Sequence, residues 1–347
     1  MQGPHGYNGG VPGDSPGYDR HNETSRPGLA MKIRRLLSCI VLLASAPMAS
    51  SAVAQNAPAE EVTLATKDGV QLSLTYFPAA QRKGTPEAKQ ATPVVLLHDH
   101  KETRAIFNSL AQRLQSGAGR PKGVSFACVT VDLRGHGDST RQILNGTHIN
   151  LDAARLTKPQ LLAMAALDME AVRGFLVEKN DAGELNLNKL CLVGAGMGAN
   201  VAANWALQDW SAPPLAIGKQ GQDVKSLVLI SPRWSYMGLS LQGPMRFRAL
   251  KENIAWMLVY GVEDRRVAAD ANRIYKQLEK FHPDADDAAG RSSGSLQVIA
   301  WPDSNLQGSI LLQQAGAPLE QQIVNFLVQQ VARTQLPWTS RLDRIPR

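Results

Sequence analysis

Apolar and polar positions along this chain alternate between two periods. Residues 94–98, 126–133, 190–195, 226–230, 256–260 and 296–301 are short, nearly continuous apolar runs of the kind that form strands buried on both faces. Between them lie stretches with apolar residues three and four apart. Ile106, Leu110 and Leu114 predict a helix over 103–114, and Leu162, Ala166, Met169, Val172 and Leu176 predict one over 159–179, with Pro159 at its first turn. Further helices are predicted over 267–281 and 319–332. Residues 61–77 read as two strands around Lys67-Asp68-Gly69, a hairpin signal. Residues 78–92, 142–158, 211–222 and 282–295 read as loops, which leaves His148 and His282 expected at the surface. Strands alternating with helices predict an α/β fold with a mainly parallel sheet covered on both faces.

The run Leu-Cys-Leu-Val-Gly-Ala-Gly-Met-Gly-Ala over 190–199 is the most informative segment. Its apolar half is a buried strand, its second half is rich in small helix formers, and three glycines mark a sharp turn between them. Gly194-x-Gly196-x-x-Ala199 also fits a dinucleotide fingerprint, but that motif needs an acidic residue about 20 positions further on, and none stands near 215–219.

Composition narrows the field. At 347 residues and 44% hydrophobic, the chain can bury a large core. The net charge of +7 is scattered, with no basic block interleaved with aromatics, so nucleic acid is not an expected partner. Residues 1–30 are polar and rich in Gly and Pro, and read as a disordered or upstream extension, with Met31 a candidate true start. From Met31, Lys32, Arg34 and Arg35 precede an apolar run to Ala49, and Ala52-Val53-Ala54 supplies a small-residue cleavage site, so 31–54 reads as a signal peptide for secretion or export to the periplasm. The run is shorter than the roughly 20 residues needed to span a bilayer, so membrane contact is expected only through the uncleaved segment. Residues 55–335 form one expected domain, and 336–347 a basic solvated tail with Trp338. Cys128 and Cys191 fall in strands expected to lie two spacings apart, about 9.6 Å. That exceeds the roughly 7 Å limit for a disulfide.

Four segments together resemble the α/β-hydrolase superfamily, esterase- and lipase-like, over residues 61–332. They are His98-Asp99 after the third strand, where the family has His-Gly; Asp132-Leu133-Arg134-Gly135-His136-Gly137-Asp138-Ser139, similar to its D-x-R-G-x-G-x-S turn; the Gly194 to Gly198 elbow; and Asp264 after the seventh strand. The resemblance implies an eight-stranded sheet and a triad in the order serine, acid, histidine. Gly196 stands at the nucleophile position and Asp264 at the acid position. Asn305 or Gln307 stands where the histidine belongs, and no histidine follows His282. A glycine has no nucleophile, and an amide cannot accept a proton at neutral pH. The expectation is a protein silent as a serine hydrolase, with a binding or scaffolding role toward an unidentified small molecule or protein and no cofactor.

The implied oxyanion donors, the Met197 amide and that of Asp99 or His100, would leave an anion-binding pocket that the Asp99 carboxylate could spoil. His98-Asp99-His100 lacks a third ligand, so no metal is expected. Ser231, after the sixth strand, is read as a strand-end serine rather than a displaced nucleophile. The alternative is an active hydrolase built on Asp99, His100, Asp264 and Gln307. N-terminal sequencing of the exported protein is expected to begin at Gln55. A membrane-bound product beginning at Met31 would make the segment an anchor.

Overall fold

A computed structural model describes residues 57–117, 123–213, 215–216, 218–283 and 294–342, so the expected signal segment lies outside the described residues. The chain opens with an antiparallel pair, β1 (Glu60–Ala65) and β2 (Val70–Phe77), followed by β3 (Thr92–Leu97), α1 (Asn108–Ser116) and β4 (Phe126–Val131). A hairpin follows, β5 (Arg141–Leu144) and β6 (Thr147–Asn150), then α2 (Lys158–Ala163) and α3 (Met169–Asp181). The next elements are β7 (Leu190–Ala195), α4 (Met197–Ser211), β8 (Val224–Ile230) and a small ribbon, β9 (Ser235–Tyr236) with β10 (Leu239–Ser240). Then come α5 (Gln242–Arg246), α6 (Arg248–Asn253), β11 (Ala255–Gly261), α7 (Arg265–Leu278), β12 (Leu296–Trp301) and α8 (Gly308–Leu327).

The main sheet runs β12-β11-β8-β7-β3-β4-β2-β5-β6, with β1 on β2, and the six strands from β12 to β4 are parallel. Val95 and Leu97 of β3 enter the core layer shared with α3 and α4, while Val94 and Leu96 enter the layer shared with α1 and α8. This alternation is what a strand covered on both faces requires.

Ten strands replace the expected eight. The additional two are β5 and β6, cut from the stretch expected to be irregular by a two-residue turn at Asn145-Gly146. Both turn residues have positive φ, 49° and 78°, the pair of conformations that a tight hairpin needs and that Asn-Gly supplies at low cost. The helix expected over 159–179 is interrupted by a π-helical turn at Met164–Asp168. Its buried Asp168 carboxylate accepts from Arg134 Nε at 3.0 Å and Nη2 at 2.5 Å. His282 is 3% exposed, against the expectation of a surface residue, because its Nδ1 bonds Ser295 Oγ at 2.7 Å across the connection from α7 to β12. Cys128 and Cys191 lie on either side of Val94 and form no disulfide, as the strand spacing predicts. Among the described residues no helix is long and apolar enough to cross a membrane.

The expected solvated tail is anchored as far as Leu342. Asn180, Asn186 and Asn188 donate side-chain amides to the carbonyls of Thr339, Leu336 and Pro337 at 3.0, 2.9 and 2.6 Å. Arg341 is buried against Asp223, with Nε and Nη2 at 3.1 and 3.0 Å from Oδ1. Sequence alone does not show that the Asp223 carboxylate is buried and needs a cation. Lys219 Nζ at 3.0 Å and Arg173 Nη2 at 3.9 Å also face this carboxylate, so the loss of Arg341 leaves its charge partly compensated and removes charge-assisted bonds, at about 2 kcal/mol. Arg341→Ala is therefore expected to destabilise the fold by about that much in urea unfolding, whereas Arg333→Ala, on the exposed surface before the tail, leaves stability unchanged.

Candidate functional site

The strand-end connections converge at the C-terminal edge of the sheet, the position where open α/β sheets place their ligands. At its centre β7 turns into α4 through Gly196, with φ 50° and ψ −112°. The turn is so tight that a Cβ on Gly194 would lie 2.4 Å from the Gly198 carbonyl oxygen, and one on Gly198 would lie 2.3 Å from that of Leu97. The glycines at 194 and 198 let strand, helix and β3 approach, and the one at 196 permits the left-handed backbone.

Above Gly196 lies a carboxylate. Asp99, just after β3, sends Oδ1 toward two backbone amides, Met197 N–H at 2.8 Å and His100 N–H at 2.7 Å. Its own N–H is committed elsewhere, to Glu102 Oε2 at 3.2 Å and Ser309 Oγ at 3.4 Å. Where the resemblance implied an anion pocket that the Asp99 carboxylate could spoil, the donors at 197 and 100 hold that carboxylate of the same chain. The physical reason is local. An acid just after β3 reaches the N-terminus of α4, where unpaired amides and the helix dipole favour negative charge. A Cβ built on Gly196 would lie 1.9 Å from Asp99 Oδ2, and one on Gly308 would lie 2.4 Å from it. Asp99 thus fills the space a nucleophilic side chain at 196 would need.

Gln307 stands at the N-cap position of α8, makes no side-chain capping bond there, and lies beside β11. Its side-chain amide bonds the Gly261 backbone at both groups, accepting from N–H at 3.3 Å and donating to the carbonyl at 3.0 Å. One amide supplies both a donor and an acceptor in the plane of a strand edge, which an imidazole does not do for one residue's N–H and C=O together. Ser231 Oγ donates to Gln307 Oε1 at 2.7 Å and accepts from Gly308 N–H at 2.8 Å, so the hydroxyl's one proton is committed to holding this connection to β8. Asp264 accepts from the amides of Arg266 and Val267, both at 3.0 Å, as the N-cap of α7. Asn305 is exposed on the same connection as Gln307. Gln307, Ser231 and Gly261 are thus brought together, while Asp264 is turned to its own helix.

Three histidines border the site. Leu133 N–H donates to His98 Nε2 at 3.1 Å, so that nitrogen carries no proton and Nδ1–H donates to the Asp99 carbonyl at 2.6 Å. Burial, with His136 and His100 nearby, pushes His98 down to about 3, and a second proton would also break the bond from Leu133. The His136 ring lies 5.0 Å from that of His98 and 5.5 Å from that of His100. His100 Nε2 bonds the Ala153 carbonyl at 3.0 Å. Among the described residues no cluster of His, Cys, Asp and Glu is arranged to hold a metal.

The Asp132 to Ser139 turn is structural. Asp132 is buried and accepts from the amides of Arg104 and Asp138 at 2.6 and 3.0 Å, and Arg104 Nη1 also bonds it. A Cβ on Gly137, at φ 50°, would lie 2.1 Å from Asp132 Oδ2. Sequence reasoning missed Glu102 and Ser309 beside Asp99. Burial raises the Glu102 carboxyl, and Asp99 adds to this, against the lowering bond from Ser309. Neither residue belongs to a motif, and only the fold brings positions 102 and 309 together.

The family model for the alpha/beta hydrolase family matches residues 94–341, and the chain belongs to that family. Comparison with curated protein sequences gave no match. Among solved structures, a peroxisomal alpha-beta-hydrolase of Saccharomyces cerevisiae is 10% identical, with 81% of this chain and 90% of that one covered at a TM-score of 0.52. An esterase of Pyrobaculum calidifontis is 13% identical, with 79% and 86% covered and a TM-score of 0.52. A thermostable carboxyl esterase of Bacillus coagulans is 10% identical, with 79% and 99% covered and a TM-score of 0.51. At these identities the likeness is one of fold, and function has to be argued from the site.

The crowding at Gly196 sets a measurable coupling. A side chain in that backbone conformation costs on the order of 1 to 3 kcal/mol, and here it also has to displace Asp99. Gly196→Ser is expected to lower the melting temperature clearly, and Asp99→Gly in the same chain to recover part of the loss. Losses that simply add when the two single variants are combined would show that the side chains do not compete for one space.

Proposed function

We propose that this is an exported α/β-hydrolase-fold protein that does not carry out serine–histidine hydrolysis and acts by binding, through the C-terminal edge of its sheet, a small molecule or a protein. The observation that carries this reading is the Asp99 carboxylate held on the Met197 and His100 amides. Those two donors are the ones that would stabilise a developing oxyanion, and acyl transfer draws much of its acceleration from such stabilisation. A carboxylate already bonded to them repels the negative charge they would otherwise stabilise. Two further features support the same conclusion. Gly196 offers no nucleophile, and Gln307 offers no base and is engaged with Gly261 and Ser231.

An active hydrolase on Asp99, His100, Asp264 and Gln307 would need these groups to face one reacting atom. Asp264 instead caps α7, Gln307 bonds β11, and Asp99 is held by amides. Export rests on the order of basic, apolar and small residues between Lys32 and Ala54.

The purified protein is expected to resist labelling by fluorophosphonate probes and to leave short activated esters uncleaved above background. Gly196→Ser and Gln307→His, singly or together, are expected to remain inactive while Asp99 stays in place. Ester turnover is expected to require Asp99→Gly in the same chain. Stoichiometric labelling of any serine in the unaltered protein would overturn the reading in favour of an active hydrolase.

A further inference from the structure

The sheet ends on one side in β6, whose four residues are all exposed. Of the large apolar side chains more than a third exposed among the described residues, three lie on this hairpin: Ile143 at 41%, Leu144 at 46% and Ile149 at 38%. An edge strand that is not meant to pair is ordinarily protected by charge, proline or a bulge. Residues 142–151 contain no charged side chain and no proline, and the β5–β6 register is regular from Arg141↔Asn150 to Leu144↔Thr147. The contrast with β1 is direct. That strand is also paired on one side only, but it begins with exposed Glu60 and Glu61. β12 lacks charge as well, yet its central residues Gln297, Val298 and Ile299 are partly covered.

The hydrogen-bond phase of the hairpin decides what fits the open edge. Leu151 N–H donates to the Thr140 carbonyl at 2.6 Å, so by the alternation of an antiparallel ladder the bonded pairs that follow are Ile149 with Gln142 and Thr147 with Leu144. The N–H and C=O groups of His148 and Asn150 therefore point away from β5, toward the open side. We propose that β6 pairs antiparallel with β6 of a second copy of this chain, about a two-fold axis at Ile149. In that register His148 of each copy exchanges N–H and C=O bonds with Asn150 of the other, satisfying the outward groups of both strands. Ile149 then faces Ile149 as a non-bonded pair, the closer of the two pairings, with Cβ atoms about 4.5 to 5.5 Å apart. Leu144 lies on the same face as Ile149, two positions along from its partner Gln142, and extends the apolar contact. An axis through a single neutral residue brings no like charges together, as a self-pairing interface requires.

Sedimentation velocity of the purified full chain is expected to give a species of twice the chain mass. Ile149→Lys places two ammonium groups on the axis and is expected to halve that mass with an unchanged circular dichroism spectrum. Ala300→Lys, on the exposed position of β12, is expected to leave the doubled mass intact. Ile149→Cys tests the register independently of folding effects. In a chain that also carries Cys39→Ser, with diamide accepting the two electrons and two protons, the two thiols on the axis are expected to join as a disulfide-linked dimer on a non-reducing gel, the buried Cys128 and Cys191 taking no part. A single-mass species throughout the concentration range, a doubled mass that survives Ile149→Lys or is lost in Ala300→Lys, or failure of Ile149→Cys to cross-link would each overturn the proposal.

Discussion

The structure depends on how closely β7, α4 and β3 approach one another at the elbow. The turn leaves no room for a Cβ at residues 194 or 198, because carbonyl oxygens of the helix and of β3 occupy those positions. That closeness fixes the direction of α4, and with it the direction of the first free amides of the helix. Everything at the upper edge of the sheet is arranged with respect to those amides: Asp99 reaches them from β3, and Gly196 is bare beneath Asp99. Gly308 passes on the other side without a side chain of its own. The constraint is steric before it is electrostatic. Charge decides only what fills the space that the backbone leaves.

Much of this is legible in the sequence because the elements concerned declare themselves locally. Buried parallel strands are apolar runs, and Gly194, Gly196 and Gly198 are needed by backbone geometry alone. The order of strands follows from the motifs at their ends. Asp132 is readable as a cap because the Asp138 amide lies in its own turn, whereas the bonds from Arg104, 28 positions earlier, are not. Gln307 is readable as a substitution but not as a bond to Gly261, since the meeting of β11 with the start of α8 is a property of the folded sheet. The same limit hides Glu102 and Ser309. The hairpin at 141–150 escapes for a different reason: Asn145-Gly146 is a strong turn signal, but the flanking residues carry no period-two pattern with a buried face to mark them as strands.

Ser231 shows how a candidate nucleophile can be a structural part. Its backbone sits at φ 52°, an uncommon conformation for a residue with a side chain, and its hydroxyl joins the end of β8 to the start of α8. Strain at a strand end can signal a reactive site, yet here both of the serine's polar roles are already taken by Gln307 and Gly308. The residues that give this edge its shape are thus largely occupied with one another.

The two cysteines among the described residues carry a consequence for where this fold can work. Cys128 and Cys191 face the same core layer from strands separated by β3 and are not joined in a disulfide. Burial raises the Cys191 thiol well above its ordinary range, which removes the thiolate that exchange chemistry needs. The described fold is therefore indifferent to ambient reducing power. Moving it between a thiol-rich cytosol and an oxidising medium makes or breaks no covalent link, and its folding on either side of a membrane requires no oxidant or disulfide isomerase.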